Sequence, residues 1–177
     1  IYDNFKTIFF ALTIAVIIRS LIIQPFYIPS SSMEPTLLIG DRIFVTKYSY
    51  GLSKHSFPFS PNISNKRFNY IKPNQGDLVV FKTPTDNRTD YIKRLIGLPG
   101  DEIQFINGII FLNNKKINRE KIKTKNTARC GKSVFEVETF IETLPNGSKY
   151  TAVYNQGGTM MNTPRFIVPE NHFFLLG

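Results

Sequence analysis

Nothing between Ile8 and Ile18 is charged, and the apolar residues from Phe5 to Ile23 run round the whole circumference of a helix. A helix that is hydrophobic on every side needs lipid, or a large core, around it. Crossing a bilayer takes about 20 residues, so the stretch is slightly short. Lys6 and Arg19 can extend their charges toward opposite interfaces. A cleaved leader is the rival reading. Arg19, Gln24 and Pro25, however, stand where a small-residue cleavage pattern would lie. Residues 1–23 are therefore predicted to be a retained transmembrane anchor, and 24–177 the domain that it carries.

The domain has room for a core, since 42% of the 177 residues are hydrophobic. Lys+Arg outnumber Asp+Glu by 22 to 13, a net charge of +9. That sign suits nucleic acid or an anionic membrane surface. The basic residues are scattered from Lys47 to Arg165 rather than clustered, which argues against nucleic acid. Cys130 is the only cysteine, so no internal disulfide and no cysteine-based zinc site can form. His55 and His172 are too few for most histidine-rich metal sites, and no metal or cofactor is expected. The chain opens at Ile1 without a Met and stops at Gly177 straight after an apolar run, so it is expected to be part of a longer protein.

Past Leu38 the period changes to two. Three Gly-Asp pairs, Gly40-Asp41, Gly76-Asp77 and Gly100-Asp101, each precede an apolar run, which reads as turn then strand. Asn107-Gly108 separates two apolar runs as a two-residue hairpin turn does, and Asn146-Gly147 is read the same way. No convincing helical period follows residue 38. The body is predicted to be mostly β, a barrel-like or multi-sheet core. Residues 50–69 read as a loop, with His55, Phe57 and Phe59 available to other surfaces, and 113–132 as a basic, solvated excursion containing Cys130.

Directly after the apolar run comes Pro29-Ser30-Ser31-Ser32-Met33-Glu34-Pro35-Thr36-Leu37. Each proline fixes its own φ and pushes the preceding residue toward extended backbone. The serines are thus expected on a stiff loop, not in a helix. A bare serine is a poor nucleophile and needs a base. Lys93 is the candidate, in Asp90-Tyr91-Ile92-Lys93-Arg94-Leu95-Ile96-Gly97. Strand alternation puts Tyr91, Lys93 and Leu95 on one face. Burial there would lower the lysine's pKa and let a neutral amine take the serine proton. From spacing alone, a lysine with a buried stem and a wet head is the commoner outcome. A triad would need His55, in a Phe-rich loop, or His172, at the start of an apolar strand. Ser-x-x-Lys, Gly-x-Ser-x-Gly and His-Glu-x-x-His are all absent.

Taken together, the anchor, the run Gln24 to Leu37, the run Gly76 to Phe81 and the run Asp90 to Asp101 resemble the bacterial type I signal peptidases, the Ser/Lys leader peptidases. The likeness is colinear and extends to Val168-Pro169-Glu170-Asn171-His172-Phe173-Phe174-Leu175-Leu176-Gly177, which resembles the approach to that family's last motif, Gly-Asp-Asn-Arg-x-Asn-Ser. The resemblance implies Ser32 as nucleophile and Lys93 as general base, the same lysine later activating the deacylating water. It implies an oxyanion hole from the Ser32 N–H and the Ser30 hydroxyl. Phe26, Ile28, Pro29, Leu37, Tyr91 and Ile92 fall where the family lines its shallow apolar pockets for small side chains such as Ala. Only the first residue of the last motif, Gly177, is present, and the serine and aspartate that orient the family's lysine lie beyond it. A chain with nothing after Gly177 is therefore expected to be weakened or dead.

The implied activity is removal of signal peptides from exported preproteins through an acyl-enzyme. The implied location is the bacterial cytoplasmic (inner) membrane, with the catalytic domain on the periplasmic or outer side. Preproteins, the lipid bilayer and the secretion translocon are the implied partners. No nucleic acid is expected, and a monomer is the default. Two rivals remain. A self-cleaving repressor-type relative would share the Ser/Lys chemistry, but the run Ile8 to Ile23 stands where it would carry a DNA-binding helix pair. A membrane-tethered, non-enzymatic β-rich binding module would leave Ser32 a turn serine and Lys93 an ordinary surface lysine.

Overall fold

The computed structural model of the protein describes residues 2–57, 66–130, 133–154 and 161–177, with the backbone alone at 123–126, 128–130 and 133. The chain forms two compact units, Ile1–Tyr27 with Arg42–Pro73, and Ile28–Asp41 with Asn74–Gly177.

The first unit begins with helix α1, Tyr2–Ile17, in which no residue is buried. It runs on through one π-helical turn, Ile18–Ile22. The continuous stretch Tyr2–Ile22 has 21 residues and a mean hydropathy of 2.0. At about 1.5 Å per residue it is about 30 Å long, the thickness of a bilayer's hydrocarbon core. By length and composition it can cross a membrane. Strand β1, Ile23–Tyr27, follows and pairs antiparallel with β2, Arg42–Thr46. Residues 50–57 and 66–69 form the expected loop, held by one bridge between Leu52 and Phe68 and one 3-10 turn, Lys54–Ser56. His55 lies in that turn and Phe57 just after it, while Phe59 lies outside the described residues.

The second unit carries three sheets. One is β12 (Phe174–Leu176), β4 (Asp90–Gly97) and β3 (Leu78–Lys82), in that order. Another is β11 (Phe166–Ile167), β5 (Glu102–Ile106), β6 (Ile109–Leu112) and β7 (Lys115–Lys116). The third is β10 (Lys149–Tyr154), β9 (Ser133–Thr143) and β8 (Asn118–Cys130). The fold is mostly β and multi-sheet, as expected, and among the described residues no sheet closes into a barrel. Ile96, Ile103, Phe105, Ile110, Leu112, Ile117, Leu144 and Val168 pack into one core drawn from several of these elements.

The three Gly-Asp pairs build the same turn three times. Asp41, Asp77 and Asp101 each donate their N–H to the carbonyl three residues back, at 3.1, 3.2 and 3.0 Å. Each carboxylate also accepts the N–H of that residue, at 2.8, 2.9 and 2.7 Å for Leu38, Asn74 and Leu98. The glycines at the third position have φ of 99°, 96° and 86°. That left-handed conformation is the requirement of a type II turn. Asn107 and Gly108, with φ of 49° and 71°, make the predicted two-residue hairpin between β5 and β6. Asn146-Gly147 joins β9 to β10 differently: the last paired residues are Thr143 and Lys149, so five residues make the connection.

The reading of 113–132 as a solvated excursion is corrected. Residues 115–116 and 118–130 are strands, and β8 is paired along most of its length with β9. Two of the charges on β8, Arg119 and Lys121, find partners across the ladder. Arg119 meets the buried Glu142 carboxylate at 2.8 Å and lies 3.9 Å from the Tyr154 ring centre. Lys121 pairs with Glu138 at 2.5 Å. Tyr154 donates to Glu142 at 2.7 Å. Burial and the Glu142 charge hold both the Tyr150 and Tyr154 hydroxyls well above their ordinary pKa, so both stay neutral.

Candidate active site

The serine-rich stretch lies wholly in the second unit. Ser30 and Glu34 are both extended, Glu34 as its following proline demands. Between them stands not the stiff, non-helical loop that was expected but a single 3-10 turn, Ser31–Met33, closed by Glu34 N–H to Ser31 O at 2.9 Å. Met33 is 5% exposed and pins the turn, while Ser32 beside it faces solvent. Ser30 makes no side-chain capping bond to the turn.

Strand β4 supplies the other half. Its outward-to-inward gradient is visible on one face: Tyr91 is 50% exposed, Lys93 half-buried and Leu95 1% exposed. Lys93 Nζ therefore sits where the protein surface becomes core, and it donates to Ser32 Oγ at 2.6 Å. With the amine neutral the same contact runs the other way, hydroxyl to amine. Among the described residues no carboxylate forms an ion pair with Lys93. Burial pushes its pKa down from the ordinary lysine value.

The ladder between β12 and β4 brings a third residue to the pair. Leu176 stands opposite Arg94, and Gly177 follows it beside Lys93. A Cβ on Gly177 would lie 2.5 Å from Lys93 Cδ, 2.6 Å from its Nζ and 3.0 Å from Ser32 O. Gly177 is thus a site residue by contact. In sequence its only signal is its place at the head of the motif that the resemblance points to.

A cavity of about 410 Å³ opens beside the turn, lined by Ser32, Met33, Arg94, Tyr150, Leu176 and Gly177 among others. Its wall does not include the residues that the resemblance marks for substrate. Ile28 is 2% exposed, Leu37 and Ile92 are half-buried, and Pro29 is exposed. Tyr91 packs edge-on against Phe81, 6.2 Å between ring centres. Phe26 is a half-buried residue of β1 in the first unit. His55 belongs to the first unit, and the Nδ1 of His172 contacts Glu170 O at 2.9 Å.

A serine hydroxyl on a 3-10 turn, within hydrogen-bond reach of a half-buried lysine amine on a β-strand, has the form of a β-rich hydrolase site in which a lysine can serve a serine as base. A family model described as signal peptidase, peptidase S26, matches residues 1–177. Signal peptidase I of Rickettsia typhi is 42% identical over 185 residues, covering 99% of this chain and 68% of that protein. Those of Rickettsia akari and Rickettsia conorii are 44% and 43% identical over 180 residues, covering 95% of this chain and 65% of each relative. The chain belongs to the signal peptidase S26 family, and it spans about two thirds of the length of these relatives.

Proposed function

We propose that the protein is a membrane-anchored type I signal peptidase that cuts signal peptides from exported preproteins. The observation that carries the reading is the 2.6 Å contact between Lys93 Nζ and Ser32 Oγ. Neutral Lys93 takes the Ser32 proton as Oγ attacks the scissile carbonyl. The negative charge formed on the carbonyl oxygen is met by the Ser32 N–H and the Ser30 hydroxyl. Lys93, now an ammonium, returns the proton to the leaving amine, and the mature protein departs. Water, deprotonated by the same amine, then attacks the ester carbonyl; the bond to Oγ breaks as the ammonium returns the proton to Oγ, and the signal peptide is freed.

Ile28, Pro29, Leu37, Tyr91 and Ile92, all of the second unit, are the residues that this reading assigns to the shallow pockets selecting small side chains. Residues 1–23 anchor the chain and 24–177 form the peptidase domain, which faces the outer side of the inner membrane. A covalent tether to the bilayer raises the enzyme's effective concentration toward substrates whose own apolar helix lies in the same membrane. The test is cleavage in lipid vesicles of a preprotein with Ala at the first and third positions before the cut. The protein releases the mature chain, and Ser32→Ala releases none. Undiminished cleavage by Ser32→Ala overturns the assignment.

A further inference from the structure

Successive side chains of β4 leave on opposite faces, so Lys93 and Arg94 diverge. Each nonetheless holds the same short segment. Lys93 reaches Ser32, and Arg94 NH2 donates to Thr36 Oγ1 at 3.2 Å. The other arm of the guanidinium donates to Gly76 O at 2.8 Å, in the turn that opens β3, and its carbon lies 4.7 Å from the Tyr150 ring centre. Among the described residues no carboxylate forms an ion pair with Arg94. Its charge is met by a carbonyl, a hydroxyl and an aromatic face. A methionine would fill that space without a desolvated charge. Arginine adds a planar fork with fixed bond directions.

From this arrangement we infer that Arg94 is a positioning residue that acts through Thr36 to hold the nucleophile turn at its working distance from Lys93. The turn itself is weakly braced. Its own backbone supplies Glu34 N–H to Ser31 O and Leu37 N–H to Met33 O, both 2.9 Å, and Met33 is its buried peg. The Arg94 fork joins the far side of the segment to β4 and, through Gly76, to the entry of β3. A nucleophile displaced by about 1 Å loses on the order of a hundredfold in rate, so a partial loosening is read directly in turnover.

The inference rests on the signal peptidase reading above. Thr36 is exposed, so Thr36→Val removes the hydrogen-bond acceptor without opening the core. In the same vesicle assay Thr36→Val lowers kcat by roughly tenfold at unchanged KM, with the titre of acylatable serine and the melting temperature unchanged. Arg94→Lys, which keeps the charge and loses the fork, does the same, and the double variant is no worse than Arg94→Lys alone. Wild-type kcat in Thr36→Val overturns the inference. So do losses that multiply in the double variant, or a loss caused by fewer titratable serines with normal turnover per serine. A wild-type rate in Ser32→Ala overturns the parent reading instead, so the two failures are told apart.

Discussion

Lys93→Met abolishes measurable cleavage while the protein stays folded. The methionine follows the course of the lysine stem along β4 and removes only the amine, which makes no ion pair among the described residues. No buried counter-charge is therefore orphaned by the change, and stability holds or rises slightly. What disappears is the group that accepts the Ser32 proton. A general base contributes on the order of 10²–10⁴ in rate, and here the same amine serves acylation and deacylation, so the loss is toward the upper end. Assay of turnover alongside the melting temperature separates the two effects. A variant with wild-type stability and turnover within tenfold of wild type would remove Lys93 from the chemistry.

Gly177→Ala gives the second large effect, and by a different route. The added methyl would stand 2.5 Å from Lys93 Cδ and 2.6 Å from Nζ, closer than real contacts allow. Ser32 O, a backbone atom 3.0 Å away, must also give slightly, but most of the yielding falls on the flexible Lys93 side chain and displaces its amine. Moving it by about 1 Å breaks the 2.6 Å contact with Ser32 and costs on the order of a hundredfold in turnover. The expected signature is a large fall in kcat with little change in melting temperature or KM. A Gly177→Ala enzyme with normal turnover would mean that the lysine has another productive position.

Much of this site could be read without coordinates, and the reason is local chemistry. Pro29 and Pro35 constrain the serine stretch from within it. The Gly-Asp pairs carry their own turn, each aspartate bonding three residues back, so they announce strand starts wherever they occur. Asn107-Gly108 is equally self-contained. What escaped reading depends on partners far along the chain. Residues 118–130 look like a solvated basic segment because Glu138 and Glu142, which neutralise Lys121 and Arg119, arrive only with β9. The choice left open between a barrel-like and a multi-sheet core has the same cause, since sheet closure is a matter of which strands pair and no local signal states it. The contact of Gly177 with Lys93 exists only because β12 lies beside β4.

The most direct test of the account is the pH dependence of kcat/KM for a signal-peptide substrate in lipid vesicles. Lys93 accepts a proton only as the neutral amine. Lowering the pH protonates it and switches cleavage off, so the rate rises with pH through the Lys93 pKa. Burial lowers that pKa, which moves the rise to lower pH and leaves more enzyme active near neutrality. The expected profile is a single-proton rise with its midpoint clearly below the ordinary lysine value of 10.5. A flat profile, or a midpoint at or above that value, would contradict a desolvated Lys93 as the base that activates Ser32.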